Sequence, residues 1–333
     1  MSPRKPDQLP DSAATSRKNS AGLPPLVAVV GPTASGKSSL AMELALRFNG
    51  EIINTDAMQV YRGFDIGTAK PGAADLERVP HHLLDCVEAD QEYSAGSYVR
   101  DARLVLAGLK QRARLPLLCG GTGLYFRALL QGLADIPDIP PEIREEVACE
   151  LERRGAPALH GELVAVDPEM ASRLHPNDRA RVARALEVFR ATGRSLAFFQ
   201  EQRPFTLDMP GVLTLGVAWE RPRLYERINA RVEQMLDRGW VDEVRGLLAQ
   251  GLDPGLKPFR AIGYAEITRA LLAGGRDFEP DREALAGAIA QSTRNYAKRQ
   301  LTWFRRHPGV IWFSPETTGQ ALEAVAGFLQ DAG

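Results

Sequence analysis

Residues Gly31, Pro32, Thr33, Ala34, Ser35, Gly36, Lys37 and Ser38 have the spacing G-x-x-x-x-G-K-S and directly follow the apolar run at residues 26–30. These residue types suit a bound phosphate or diphosphate: the glycines let backbone N–H groups point at oxygens, Lys37 brings a cation, and Ser38 offers a hydroxyl to Mg²⁺. A helix expected over residues 39–48 adds its positive N-terminal end. A glycine turn that binds nothing is the bland alternative, and strand, loop and helix in register argue against it. A second short strand, expected at residues 51–55, ends in Asn54, Thr55 and Asp56. That puts a carboxylate at the C-terminal edge of a parallel sheet, where open α/β folds bind ligands. Beside a phosphate loop such an acid orients a nucleophile or helps hold the metal through water, while its structural alternative is a helix N-cap.

Other stretches carry weaker signals. A third strand, the apolar run at residues 115–119, passes into Gly120, Gly121, Thr122 and Gly123 with no closing acid. This counts against ATP hydrolysis and leaves a second glycine loop where backbone can approach a ligand. Residues 61–71 form a polar loop too long for a turn, the kind that usually makes a binding surface. Arg227 and Arg231 lie one helical turn apart and share a face, and either could serve a diphosphate. Arg294, Lys298 and Arg305 fall on one side of a helix with Trp303 and Phe304 interleaved, which suits phosphate contact and base stacking, or for Trp303 a core anchor. His81 and His82, flanked by Pro80 and Leu83, read as a loop cap or surface pair in preference to a metal site.

The elements that must position these groups follow from the wider pattern. With 333 residues, 44% of them hydrophobic, the chain can bury two cores or one core with a large insertion. Apolar runs alternating with helical patterns through the first 130 residues predict right-handed βαβ units and a parallel sheet. Helices are expected near residues 98–111, and a strand resumes at residues 212–219. Prolines at 137, 140 and 141 mark a crossing into a region of helices only, at 141–154, 168–174, 178–191 and 195–202. Long helices follow at 222–238, 241–250, 264–273 and 282–306, then a short buried strand at 310–313. The expected division is a disordered tail at 1–24, an α/β core at 25–136 and 211–333, and a helical insertion at 137–210.

The formal net charge of −1 conceals local asymmetry. Six arginines between residues 173 and 194 face only Asp178 and Glu187, and residues 294–307 hold five Lys or Arg and no acid. Together with a phosphate loop, two such stretches favour a nucleic-acid partner over two solvated faces. No stretch is long and apolar enough for a membrane span, and residues 1–24 have no apolar segment of a secretory signal. Cys86, Cys119 and Cys149 are widely spaced, which fits a reducing cytoplasm and neither a zinc site nor a disulfide framework.

Taken together, the phosphate loop, Asp56 to residue 61, Gly67 to Pro71, Gly120 to Thr122 with Leu124, Tyr125 and Phe126, His175 to Asp178, Arg184 to Val188, Gly263 with Tyr264, and Lys298 to Gln300 with Thr302 and Trp303 resemble the tRNA dimethylallyltransferases. The resemblance spans residues 25–315 and is to the bacterial type, since the zinc finger of eukaryotic members has no match. It implies an α/β fold of P-loop NTPase type with a parallel sheet flanked by helices and an all-helical insertion that binds tRNA. The implied reaction moves a dimethylallyl group from its diphosphate to N6 of adenosine 37, beside the anticodon, with Mg²⁺ and no ATP as donor. Asp56 is the implied general base, Gly31 to Ser38 with Arg231 the diphosphate site, and Ser38 the metal contact. Implied tRNA contacts are Asp56, Ala57, Met58, Gln59, Thr122, Arg144, Ala180, Arg181, Arg184, Arg260, Gly263, Tyr264, Lys298, Arg299, Trp303 and Arg305. A monomer is expected. The rival readings are a small-molecule kinase and an RNA-binding nucleotide switch, and the chain lacks the strand-end acid of the first and the nucleotide-specificity motif of the second.

Overall fold

The computed structural model describes residues 25–133, 136–200, 211–274, 279–307 and 309–332. The expected tail and residues 201–210, where the last insertion helix was expected to end, lie outside them. Six strands form one parallel sheet: β1 (Leu26–Val30), β2 (Gly50–Asn54), β3 (His81–His82), β4 (Leu115–Gly120), β5 (Val212–Val217) and β6 (Val310–Phe313). The order is β3-β2-β4-β1-β5-β6. All five residues of β1 are fully buried, as an apolar run covered on both faces must be. Val29 pairs with Cys119 on one side and Leu215 on the other, so the chain leaving β1 emerges at the middle of the sheet's C-terminal edge. There the order turns, and ligands of doubly wound sheets bind at that place.

Helix α1 (Lys37–Arg47) starts two residues earlier than expected because Gly36, at φ 98°, takes the left-handed position that launches it. Its Leu40, Ala41 and Leu44 pack on Val27, Val29, Leu117 and Leu215 in the main core. Along the rest of the first half run α2 (Ala73–Arg78), α3 (Ala95–Gln111) and α4 (Gly123–Gln131). The histidine pair is not a loop cap: His81 and His82 form an edge strand paired with Ile52 and Ile53. His82 reaches Glu51 at 2.7 Å, and Arg112 reaches the same carboxylate at 3.1 Å. Strand β6 is the opposite edge, where only Val310 is buried and Ile311 is 47% exposed, so the expectation of a buried strand fails there.

Residues 131–205 form a separate compact unit. Its helices are α5 (Pro141–Arg154), α6 (Ala156–Val166), α7 (Pro168–Arg173), α8 (Arg179–Thr192) and α9 (Leu196–Gln200), around a core of Val147, Leu159, Leu163, Val182, Leu186 and Val188. Sequence reading passed over α6 because Gly155, Pro157 and Gly161 resemble breakers, whereas Gly155 and Pro157 occupy the start of the helix, where both are tolerated. The arginine excess of this region is offset in space. Arg190 pairs with Glu146, Glu150 and Glu162 and Arg179 with Glu152, acids distant in sequence, while Arg173 pairs with Glu169 one turn away on its own helix.

The remaining helices belong to the larger unit: α10 (Arg221–Asp237), α11 (Trp240–Ala249), α12 (Tyr264–Gly274), α13 (Arg282–Arg305) and α14 (Thr318–Ala332). Leu224 and Ile228 of α10 meet Ala297 of α13 and Ala34 of the phosphate loop in one buried cluster. This packing fixes which faces of α10 and α13 look over the sheet edge.

Candidate active site

Backbone conformation shapes the loop after β1. Gly31 has φ 150°, and a Cβ there would stand 2.4 Å from the Val217 carbonyl oxygen, so only glycine fits between β1 and β5. Gly31, Pro32 and Ser35 lie buried behind the loop, while Thr33, Ala34, Gly36, Lys37 and Ser38 line the cleft. Gln300 of α13 staples this loop to its neighbour. Its Oε1 accepts the Thr33 N–H at 2.8 Å, and its Nε2 donates to the Gly121 carbonyl at 3.1 Å.

The cleft is a run of three cavities of about 360, 280 and 500 Å³ that share lining residues. The first holds Lys37 and Ser38 opposite Arg227, Arg231 and Arg238 of the α10 region. The second adds Asn54, Asp56, Asp75, His81 and Cys119. The third joins Asp56 and Thr122 to the apolar side chains Ile228, Val232, Met235, Trp240, Ile262 and Ile289. Arg231 borders all three, and Asp56 stands where the cationic cavities give way to the apolar one.

Asp56 is held by its own strand end. Its N–H donates to Asn54 Oδ1 at 2.9 Å, and its Oδ1 accepts the Met58 N–H at 2.8 Å. The second carboxylate oxygen has no partner among the described residues and is available to accept a proton. Thr122 ties β2 to β4 at this point, donating its N–H to the Thr55 carbonyl and accepting the Ala57 N–H on its hydroxyl at 3.1 Å.

Burial holds the Lys37 ammonium below its usual range, with Arg231 acting in the same direction and Cys119 and Asp56 opposing it. Burial likewise lowers Arg231, opposed by Asp56 and reinforced by Arg227 and Arg238. Cations so placed lack the counter-charge that buried ions need, and a polyanion entering the first cavity supplies it. Burial pushes the Cys119 thiol up to about 11, so it stays a neutral thiol at the second cavity.

A divalent cation that accompanies a diphosphate fits this donor set. Magnesium takes one or two protein oxygens and completes its shell with phosphate oxygens and water, and the Ser38 hydroxyl offers one beside Lys37. Among the described residues no group of three or more His, Cys, Asp or Glu could cage a metal by itself.

Other expectations are relocated. Of the glycines after β4 only Gly120 borders the cleft, and all three are small for packing: a Cβ on Gly120, Gly121 or Gly123 would strike Thr55, Gln300 Nε2 or the Trp303 indole at 2.2, 1.9 or 2.6 Å. They are small so that β2 and α13 can approach. Trp303 is half-buried on Gly123 and on the neighbouring rings of Phe304 and His307, in the anchoring role. Of the basic face of α13, Arg299 lines the third cavity, while Lys298 and Arg305 are exposed away from it and Arg294 donates to Asn229 on α10. Gly263 and Tyr264 are buried behind the cleft wall, so neither offers a surface to a macromolecule. Ala57, Met58 and Arg260 line the third cavity and Gln59 the second, although Gln59 also spends its amide on the Thr68 and Ala69 carbonyls.

Arg144, Ala180, Arg181 and Arg184 lie in the 131–205 unit. Arg144 and Ala180 are exposed, and Arg181 and Arg184 pair locally with Asp178 and Glu187. Sequence reasoning missed Arg238, Tyr296 and Trp240. Arg238 stands seven residues after Arg231, two turns along the same face, and that spacing could have found it. Nothing local marks Trp240.

The family model described as IPP transferase matches residues 59–307, and that described as isopentenyl transferase matches residues 24–91. The tRNA dimethylallyltransferase of Geobacter sulfurreducens is 47% identical over 301 residues, covering 90% of this chain and 95% of that one. The crystal structure of the tRNA isopentenylpyrophosphate transferase from Bacillus halodurans is 37% identical, covers 92% of this chain and 97% of that one, and superposes with a TM-score of 0.66. A eukaryotic dimethylallyltransferase captured acting on tRNA is 26% identical over 92% of this chain and 79% of its own, with a TM-score of 0.77. Among the described residues no helix is long and apolar enough to cross a membrane.

Proposed function

The chain belongs to the tRNA dimethylallyltransferase family, and from that premise we propose that it transfers a dimethylallyl group from dimethylallyl diphosphate to N6 of adenosine 37 in tRNA. The observation that carries this reading is the position of Asp56 between cavities lined by the cations Lys37, Arg231 and Arg238 and a cavity with a mainly apolar wall of Ile228, Val232, Met235, Trp240, Ile262 and Ile289. An allylic diphosphate has this same division between charge and hydrocarbon.

The chemistry divides among named groups. N6 of adenine is a weak nucleophile because its lone pair is delocalised into the ring, so the carboxylate of Asp56 accepts its proton as the bond to the allylic carbon forms. The carbon–oxygen bond to diphosphate breaks with its electron pair passing to the leaving group. Lys37, Arg231 and the loop N–H groups of Gly36 to Ser38 meet that growing charge, already desolvated and in place. Magnesium on Ser38, when bound, supplies further charge to the diphosphate. Reaching Asp56 requires the adenine to leave its stack, at a cost of a few kcal/mol.

The proposed partner surfaces for tRNA are Arg260 and Arg299 at the mouth of the third cavity and the helical insertion expected at 137–210, with Arg144, Ala180, Arg181 and Arg184. Exposed pairs such as Arg181 with Asp178 are worth about 0–1 kcal/mol, so a nucleic-acid phosphate can displace the acid. A monomer is the proposed working unit. A cytoplasmic location suits a tRNA substrate and three cysteines that remain thiols.

The test is a defined assay with purified protein, tRNA, dimethylallyl diphosphate and Mg²⁺ and no ATP, followed by mass analysis of the tRNA nucleosides. An adenosine heavier by one dimethylallyl group is the expected product. An absolute need for ATP, with phosphate release matching turnover, overturns the reading.

A further inference from the structure

The cleft wall between the second and third cavities is the loop from Asp65 to Lys70, with Thr68 lining both and Ala69 lining the first and second. A loop of this kind is normally mobile, yet three successive amides of this one are captured from behind. Glu243 Oε2, on α11, accepts the N–H of Asp65 at 3.1 Å and of Ile66 at 2.8 Å. The Tyr264 hydroxyl, on α12, accepts the N–H of Gly67 at 3.1 Å and donates its own proton to Glu243 Oε1. Burial first, and then the Glu243 charge, drives the Tyr264 phenol far above its usual range, so it stays protonated as a donor. Trp240 closes the gap: a Cβ on Gly67 or Gly263 would fall 2.2 or 1.8 Å from its ring. None of these three side chains stands next to the phosphate loop or Asp56 in sequence.

The reaction proposed above gives this arrangement a purpose. As the bond to diphosphate breaks, the allylic carbon becomes electron-poor, and water can capture it in place of N6. In that side reaction a water oxygen bonds to the carbon, the carbon–oxygen bond to diphosphate breaks with its electrons on the leaving group, and the water proton passes to solvent. The products are dimethylallyl alcohol and diphosphate. Excluding water from a reactive intermediate is one of the functions of a closed site.

We infer that Glu243 and Tyr264 form a clasp that positions residues 65–68 as the wall of the apolar cavity, so that the allylic carbon meets adenine and not water. They are positioning residues, because neither touches the reacting atoms. The inference rests on the proposed transferase activity.

The experiment compares wild type, Tyr264→Phe, Glu243→Ala and Glu243→Gln, each given tRNA and dimethylallyl diphosphate. Modified tRNA and dimethylallyl alcohol are both quantified, and hydrogen exchange is followed at amides 65–67. Tyr264→Phe and Glu243→Ala should lower kcat for tRNA modification by about 10-fold to 10²-fold, as expected when reacting groups shift by up to about 1 Å. Their KM for dimethylallyl diphosphate should hold within about 3-fold, because the ground-state contacts of Lys37 and Arg231 remain. Alcohol formed per transfer should rise, and amides 65–67 should exchange faster. Glu243→Gln keeps an oxygen for the two amides and should recover most of the loss. If Glu243→Ala does not fold, the single-hydroxyl change Tyr264→Phe decides. A wild type that modifies no tRNA brings down the functional reading and the clasp's purpose together. A functioning wild type, with unchanged alcohol per transfer in the folded variants, overturns the clasp alone.

Discussion

Replacing Asp56 by Asn separates the two tasks this side chain performs. The amide oxygen can still accept the Met58 N–H that Oδ1 accepts at 2.8 Å, and the Asn54 contact to the backbone is untouched, so the turn after β2 survives. The other oxygen becomes an NH₂ group, which cannot take the N6 proton. Turnover should fall by about 10² to 10⁴, the usual contribution of a general base, or roughly 2.7 to 5.4 kcal/mol of barrier. Removing the carboxylate also removes a negative charge that repels the incoming diphosphate and that partly offsets the buried Lys37 and Arg231. KM for dimethylallyl diphosphate should therefore stay level or decrease while kcat collapses. Single-turnover transfer to labelled tRNA, together with a donor titration, measures both quantities. Transfer at near the wild-type rate by a folded mutant refutes the assignment of Asp56 as base, and a raised KM with unchanged kcat gives it a purely binding role.

Three further outcomes follow from the same structure. Lys37→Ala should abolish prenyl transfer by removing buried charge from the leaving diphosphate, whether or not ATP is supplied, and restoration of transfer by ATP would contradict it. Arg181→Glu with Arg184→Glu should flatten the slope of log affinity for tRNA against log salt, because fewer counterions are released; an equal slope places both arginines outside the interface. Glu51 is buried, which alone would raise its carboxyl, but hydrogen bonds from His82 and Arg112 outweigh this and hold it below the usual range. Its contribution is therefore present above the ordinary carboxylate range and lost as pH falls through the lowered value. Glu51→Gln should cost about 2 kcal/mol at neutral pH and less in acid, read from urea unfolding at several pH values.

The amino-acid sequence by itself determined what is local. The loop from Gly31 to Ser38 was legible because its conformation is set by contiguous residues, with glycine at two of its three positions of positive φ, Gly31 and Gly36, and an apolar strand before it. Asp56 was legible because the short strand around Ile52 and Ile53 passes into the polar residues Asn54 and Thr55 just before it, and the alternation of strands and helices implied the parallel sheet. Tertiary structure decided everything that depends on what a face packs against. Burial of Leu224 and Ile228 against Ala34 and Ala297 turns Arg227, Arg231 and Arg238 toward the phosphate loop. The same packing selects Arg299 over Lys298 on α13, although both belong to one basic run. The glycines after β4 looked available to a ligand because glycine signals close approach without saying what approaches, and here it is Thr55, Gln300 and Trp303. Arg179 and Arg190 of α8 looked unbalanced because their acids lie on α5 and α6, from 27 to 44 residues away in the chain. Coulomb attraction depends on distance in space, and a linear pattern records distance only along the backbone.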